Sequence, residues 1–179
     1  IIYFAPKVFE MAGAARGGAL LSTVGIGAVN LLFTLCGWWL IDRYGRRTLM
    51  YLGSVGYILS LGGIAWAFAT GHTDQVLGLV FLFIAAHAIG QGAVIWVFLS
   101  ELFPNAVRAA GTSFGCLTHW VFAAAVAQVF PFFAATVAAE NIFGFFAAMM
   151  VLQLLFVWKM MPETKGKSLE EMPGSLVLH

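Results

Sequence analysis

Asn30, His87, Gln91, Trp96, His119 and Trp120 are polar or aromatic side chains set deep in stretches that carry no Asp, Glu, Lys or Arg. Amides and imidazoles in such surroundings have few partners, so each must hydrogen-bond a neighbouring helix or a ligand. The ionised residues gather instead in three clusters: Asp42-Arg43-Tyr44-Gly45-Arg46-Arg47, Glu101-Leu102-Phe103-Pro104-Asn105-Ala106-Val107-Arg108, and Pro162-Glu163-Thr164-Lys165-Gly166-Lys167-Ser168-Leu169-Glu170-Glu171. Their carboxylates and guanidiniums can pair. Glu101, at the edge of an apolar stretch, needs a cation that Arg43 or Arg108 could supply. Catalytic constellations are not recognisable: there is no His-Glu-x-x-His helix and no Ser/His pair with oxyanion donors. Cys36 and Cys116 lie far apart inside apolar stretches, which argues against a disulfide framework or a cysteine zinc site. The chain is therefore read as a non-enzyme, with no metal or cofactor expected.

The elements that must carry these residues follow from composition. The 179 residues are 61% hydrophobic and 9% charged, against roughly 25% charged in soluble domains. Mean hydropathy is +0.93. The uncharged gaps Arg16 to Asp42, Arg47 to Asp74, Asp74 to Glu101 and Arg108 to Glu140 each exceed the ~20 residues that cross a bilayer as a helix. Strands are excluded, because the runs are too long and lack two-residue alternation. The sequence predicts an all-α, polytopic membrane protein with spans at 19–41, 49–70, 76–100, 110–134 and 138–160, and with residues 1–10 as the tail of an earlier helix. Ile1 begins inside an apolar segment, without an initiator Met or signal peptide, so the chain reads as a fragment. A net charge of +1 and the lack of a basic, aromatic-interleaved stripe give no nucleic-acid partner.

Orientation follows from the basic residues. Arg43, Arg46, Arg47, Arg108, Lys159, Lys165 and Lys167 fall on one side, and Lys7 and Arg16 on the other. The richer side, with the C-terminus, is expected to be cytoplasmic. Trp38, Trp39, Trp66 and Trp158 fall near predicted span ends as interfacial anchors. The glycines within the spans suit close helix packing. Gly90-Gln91-Gly92, with a polar side chain between two glycines in mid-membrane, is the best candidate for a pivot.

In this order and at these span ends, the three charged clusters resemble the sugar porter family of the major facilitator superfamily. That family places an Asp/Glu-Arg-x-Gly-Arg-Arg loop between helices eight and nine, Glu-Ile/Leu-Phe-Pro-x-x-x-Arg after helix ten, and Pro-Glu-Thr-Lys-Gly after helix twelve. Tyr3-Phe4-Ala5-Pro6-x-x-Phe9 is similar to the end of helix seven. The resemblance implies the C-terminal six-helix half of a major facilitator fold with its first helix truncated. Residues 1–161 would form the transmembrane half-transporter and 162–179 a cytoplasmic tail. The implied partners are the lipid bilayer, a sugar and the N-terminal six-helix half of the same chain. Such a half should not transport alone, because these carriers bind substrate between two halves.

The resemblance also implies roles. Asn30 falls on the helix-eight asparagine that bonds sugar hydroxyls, and Trp96 on the helix-ten tryptophan that stacks on the sugar ring. Tyr3 and Phe4 fall on an aromatic gate, and Thr118, His119 and Trp120 on the cavity-lining stretch of helix eleven. The chain departs from the family at Ala88, where an acidic residue is common, and at Ala93 and Ile95, where prolines are. Gln91 is the nearest substitute for the lost hydrogen bonding. Asp42, Arg43, Gly45, Arg46, Arg47, Glu101, Arg108 and Glu163 would form a cytoplasmic gating network, with Arg43 latched to Glu101 and Arg108 and Glu163 nearby. The implied function is transport of a monosaccharide or polyol by alternating access across a plasma or inner membrane. Coupling to a co-transported proton stays open, and His87 is either a relay or a neutral imidazole bonded to a neighbouring helix. An organic-ion carrier of the same superfamily and a non-transporting sugar sensor are the alternatives. The lack of deep charges counts against the first of these.

Overall fold

The computed structural model describes residues 4–13 and 16–166. They form α1 (Ala5–Met11), α2 (Arg16–Tyr44), α3 (Arg46–Thr70), α4 (Val76–Ile89), α5 (Gln91–Leu102), α6 (Arg108–Thr136) and α7 (Ala139–Lys159), with a 3₁₀ turn at Thr73–Gln75 before α4. Five helical rods are long and apolar enough to cross a membrane, α4 and α5 together making one of them. The protein is a multi-pass membrane protein, all-helical throughout the described residues. Helices are the only open-ended elements that satisfy their own backbone in lipid.

The third predicted span, 76–100, is not one helix. It breaks at Gly90 (φ −95°, ψ −104°), where α4 ends and α5 begins. The break lies against α3: a Cβ on Gly53 would stand 3.0 Å from the Gly90 Cα and would overlap Gln91 Oε1. Only hydrogen at Gly53 lets the two backbones meet. The α2–α3 turn depends on glycine in another way. Gly45 has φ 86°, and a Cβ there would lie 2.5 Å from Glu163 Oε2.

Buried side chains form two apolar clusters along the bundle. Ile41, Leu49, Met50, Val94, Phe98, Val157 and Met161 pack near the charged end. Val8, Phe9, Ile26, Tyr57, Leu61, Ile64, Val80, Ile84 and Phe143 pack toward the far end. At the level between them, Ser54 Oγ accepts hydrogen bonds from Gln91 Nε2 (3.1 Å) and Gln153 Nε2 (3.3 Å) and donates to the Met50 carbonyl (2.7 Å). This polar junction joins α3, α5 and α7. The helix α6 differs from the rest, contributing no buried residue. Trp38, Trp39, Trp66 and Trp158 are all half exposed or more, as interfacial anchors require.

Candidate functional site

The charged end is built by helix termini that converge. Arg46 opens α3 and aims its guanidinium at the end of α5, where Nε donates to Glu101 Oε2 (3.0 Å) and Nη2 to Oε1 (2.7 Å). Its Nη1 also donates to Asp42 Oδ1 at 3.2 Å. Only 12% of the Arg46 side chain and 21% of Glu101 are exposed, so the fork-to-fork geometry is shielded from solvent and correspondingly stronger. Thr164 Oγ1 donates to the same Glu101 carboxylate. Glu163 accepts from the backbone N–H groups of Arg46 (3.0 Å) and Arg47 (3.1 Å), so a carboxylate sits on the positive N-terminus of α3. Chain segments from α2, α3, α5 and beyond α7 are thereby tied into one knot.

The expected latch is corrected here: Glu101 is held by Arg46, not by Arg43. Only Tyr44 and Gly45 separate the two arginines, and the turn at Gly45 puts them on different helices. The Arg43 guanidinium instead lies over the Trp39 ring, 3.8 Å from its centroid, and the Arg43 carbonyl accepts from Lys165 Nζ at 2.6 Å. Arg47 joins the knot only through its backbone. Its Nη2 donates to the Trp158 carbonyl and to Tyr51 Oη. Arg108 Nε donates to the Phe103 carbonyl, and its Nη2 is buried without a partner among the described residues. The stretch expected to start a tail at residue 162 begins inside the knot, where Glu163 and Thr164 are held and Thr164 is 4% exposed, while Lys165 and Gly166 are exposed. Residues 167–179 lie outside the described residues. Thr164 was not singled out from the sequence, although the Pro-Glu-Thr-Lys-Gly run that holds it was.

A second candidate region lies on α5 and α6. The Trp96 ring meets His119 edge-on at 5.1 Å, and His119 meets Trp120 edge-on at 5.4 Å. Trp96 is 38% and Trp120 56% exposed, so the aromatic row is open. Thr118 Oγ1 donates to the Phe114 carbonyl of its own helix. Asn30 is half-buried on α2, with no hydrogen bond to a described residue. Phe4 packs against Phe130 of α6 at 4.5 Å, and Tyr3 lies outside the described residues. Gln91 is not brought to this face. Its amide is spent on Ser54, on the α3 side of α5, and its Oε1 is buried without a partner. Five residues of helix put Gln91 and Trp96 about 140° apart. A cavity of about 530 Å³ opens between α6 and α7, lined by Val126, Val129, Phe130, Phe133, Ile142 and Phe145 among others. Its wall is almost wholly apolar and lacks the convergent polar groups a polar ligand needs.

The described residues thus form a helical membrane bundle with a charged clasp at one end and a neutral aromatic face along its side. The family model described as sugar (and other) transporter matches residues 1–175, and the chain belongs to that family. It is 37% identical over 179 residues to the D-xylose-proton symporter of Escherichia coli (strain K12), covering 96% of this chain and 36% of the relative. It is 34% identical to the glucose transporter GlcP of Staphylococcus epidermidis, covering 98% of this chain and 40% of the relative. Among solved structures, the major facilitator superfamily proton:xylose symporter XylE bound to 6-bromo-6-deoxy-D-glucose superposes with a TM-score of 0.86 at 35% identity. That match covers 97% of this chain and 38% of the other. The chain thus spans somewhat over a third of the length of the relatives it matches.

Proposed function

We propose that the protein containing this chain carries a neutral sugar across a plasma or inner membrane by alternating access, with residues 1–161 as one of two helical halves. The observation that carries this reading is the open aromatic row Trp96–His119–Trp120 on a face without Asp, Glu, Lys or Arg. A sugar offers an apolar ring face and hydroxyls, and needs an aromatic platform with a few neutral hydrogen-bonding groups. Asn30, with Thr118, Tyr3 and Phe4, supplies candidates for the rest of the wall. The names of the relatives, which speak of xylose and glucose, support the substrate class, and "symporter" supports a co-transported proton.

The Arg46–Glu101–Glu163 knot is the gating end of this reading, facing the cytoplasm because seven of the nine basic residues flank it. A carboxylate and a guanidinium at the membrane edge stay paired while that side is shut. They separate or rehydrate when it opens. The test is uptake of radiolabelled D-xylose, D-glucose and L-arabinose by the full-length carrier in liposomes, with and without an imposed proton gradient. Saturable uptake competed by sugars and not by organic ions supports the proposal. Competition by organic ions alone would sink it, as would saturable sugar binding without any uptake. Asn30→Ala should weaken sugars that carry the matching hydroxyl and spare the corresponding deoxy analogue, since removing one partner leaves the other unpaired in a dry pocket.

A further inference from the structure

Tyr57 and His87 belong to neither region above. Tyr57 is 6% exposed in the far core cluster, with its ring stacked on Phe83 at 4.6 Å. Its hydroxyl meets His87 Nδ1 at 2.5 Å. A buried phenol must place its proton, and among the described residues Nδ1 is the acceptor this one has. Tyr57 therefore donates to Nδ1, and the neutral imidazole carries its own hydrogen on Nε2.

Nε2 is turned toward another part of the bundle. A Cβ built on Gly92 would stand 3.0 Å from it. Gly92 and Trp96 are four residues apart on α5 and share a face, while the buried Val94 and Phe98 mark the opposite face. His87 thus spans from the core to the Trp96 face. It is half-buried, and its hydrogen bond to a described residue runs through Nδ1, leaving Nε2 without a described partner. One helical turn, about 5.4 Å, separates Gly92 from Trp96 along α5. A monosaccharide stacked on the indole can bridge that length with a hydroxyl.

We infer that His87 is a further substrate-contacting residue, whose Nε2–H donates to a hydroxyl oxygen of the sugar seated on Trp96, and that Tyr57 is the positioning residue that fixes this tautomer. The inference rests on the sugar-carrier reading and adds a directional donor that the aromatic row lacks. A donor at Nε2 selects for an acceptor at one ring position. A deoxy sugar at that position should bind poorly, and a deoxyfluoro sugar, whose fluorine still accepts weakly, should bind better than the deoxy one.

The experiment uses the full-length carrier, with D-glucose, D-xylose and the 1-, 2-, 3- and 6-deoxy and deoxyfluoro glucoses as competitors of uptake. His87→Phe should raise the half-inhibition concentration for D-glucose about tenfold while leaving one deoxy analogue unchanged. His87→Gln, which restores an N–H, should recover part of the loss. Tyr57→Phe should flatten the difference between that deoxy analogue and its fluoro counterpart without altering the other positions. Uniform weakening of all analogues by both His87 variants, in protein that purifies as a monodisperse species, overturns the assignment and makes the pair a packing element. Unchanged affinities overturn it as well. Absence of saturable uptake of any sugar by the wild type overturns the carrier reading itself, and this inference with it.

Discussion

The charged end and the aromatic face use opposite means of staying in place. At the charged end, Arg46, Glu101, Glu163 and Thr164 satisfy one another within the chain. On the aromatic face, Trp96, His119 and Trp120 touch edge to edge and remain open, on or against a helix with no buried residue. Solvation explains the contrast. Ionised groups at a membrane edge cost free energy unless paired, so they must find partners in cis. Apolar and aromatic surface is satisfied by lipid or by any protein surface, because the bilayer supplies no hydrophobic drive between helices. One chain can therefore carry a satisfied clasp beside an open aromatic face.

The sharpest way to break this comparison is at Arg46. Arg46→Ala leaves the Glu101 carboxylate, 21% exposed, with Thr164 as its remaining described partner. The expected loss is about 2–3 kcal/mol of stability, discounted for partial exposure from the cost of breaking a fully buried pair. Thermal unfolding of the full-length protein in detergent reads it. The charge swap Arg46→Glu with Glu101→Arg should recover part of the loss, and additive losses would show that the two residues do not interact. On the other region, Trp96→Ala should lower sugar affinity by about 1–3 kcal/mol with little change in the unfolding midpoint, and Trp96→Phe should cost less. A large drop in midpoint for Trp96→Ala would mean that the ring holds α5 and α6 together.

Between the two regions sits the polar junction, where Gly53 lets Gln91 reach Ser54. Gly53→Ala should cost about 1–2 kcal/mol of stability, because the new methyl displaces the Gln91 amide from Ser54 and also meets the Gly90 backbone at 3.0 Å. Equal stability of Gly53→Ala and the parent would show that α5 moves freely away from α3. The same junction shows how far the sequence could be read. The spans, the clusters and their order were legible because apolar length and charge segregation act locally along the chain. The break at Gly90 was legible only as a possible pivot, since two glycines flank Gln91. The direction of Gln91 was not legible. A glutamine between two apolar clusters looks the same in sequence whether it bonds a ligand or Ser54, and the Ser54–Gln153 pairing spans 99 residues. Tyr57 left a faint signal, a phenol in mid-span that had to have a partner.

The smallest effect separates two arginines that look alike in the sequence. Arg43 and Arg46 flank one turn, and the sequence offered Arg43, or Arg108, as the partner of Glu101. The turn decides between them. Gly45, in the left-handed region at φ 86°, ends α2 with Arg43 on its last turn and starts α3 with Arg46 at its first position. Arg46 therefore projects from the N-terminus of α3 toward α5, while Arg43 lies back along α2 over Trp39, one turn earlier. A cation over an exposed indole contributes about 0.5–1 kcal/mol. Arg43→Gln keeps the carbonyl that Lys165 binds, so its loss should not exceed that range, several times less than for Arg46→Ala. The pair Arg43→Glu with Glu101→Arg should show no rescue at all, because the two side chains do not meet. Unfolding midpoints of the four variants, measured in one detergent at two salt concentrations, test the ordering. Rescue by the Arg43 swap, or a loss at Arg43 equal to that at Arg46, would return the clasp to the arginine that the sequence first suggested.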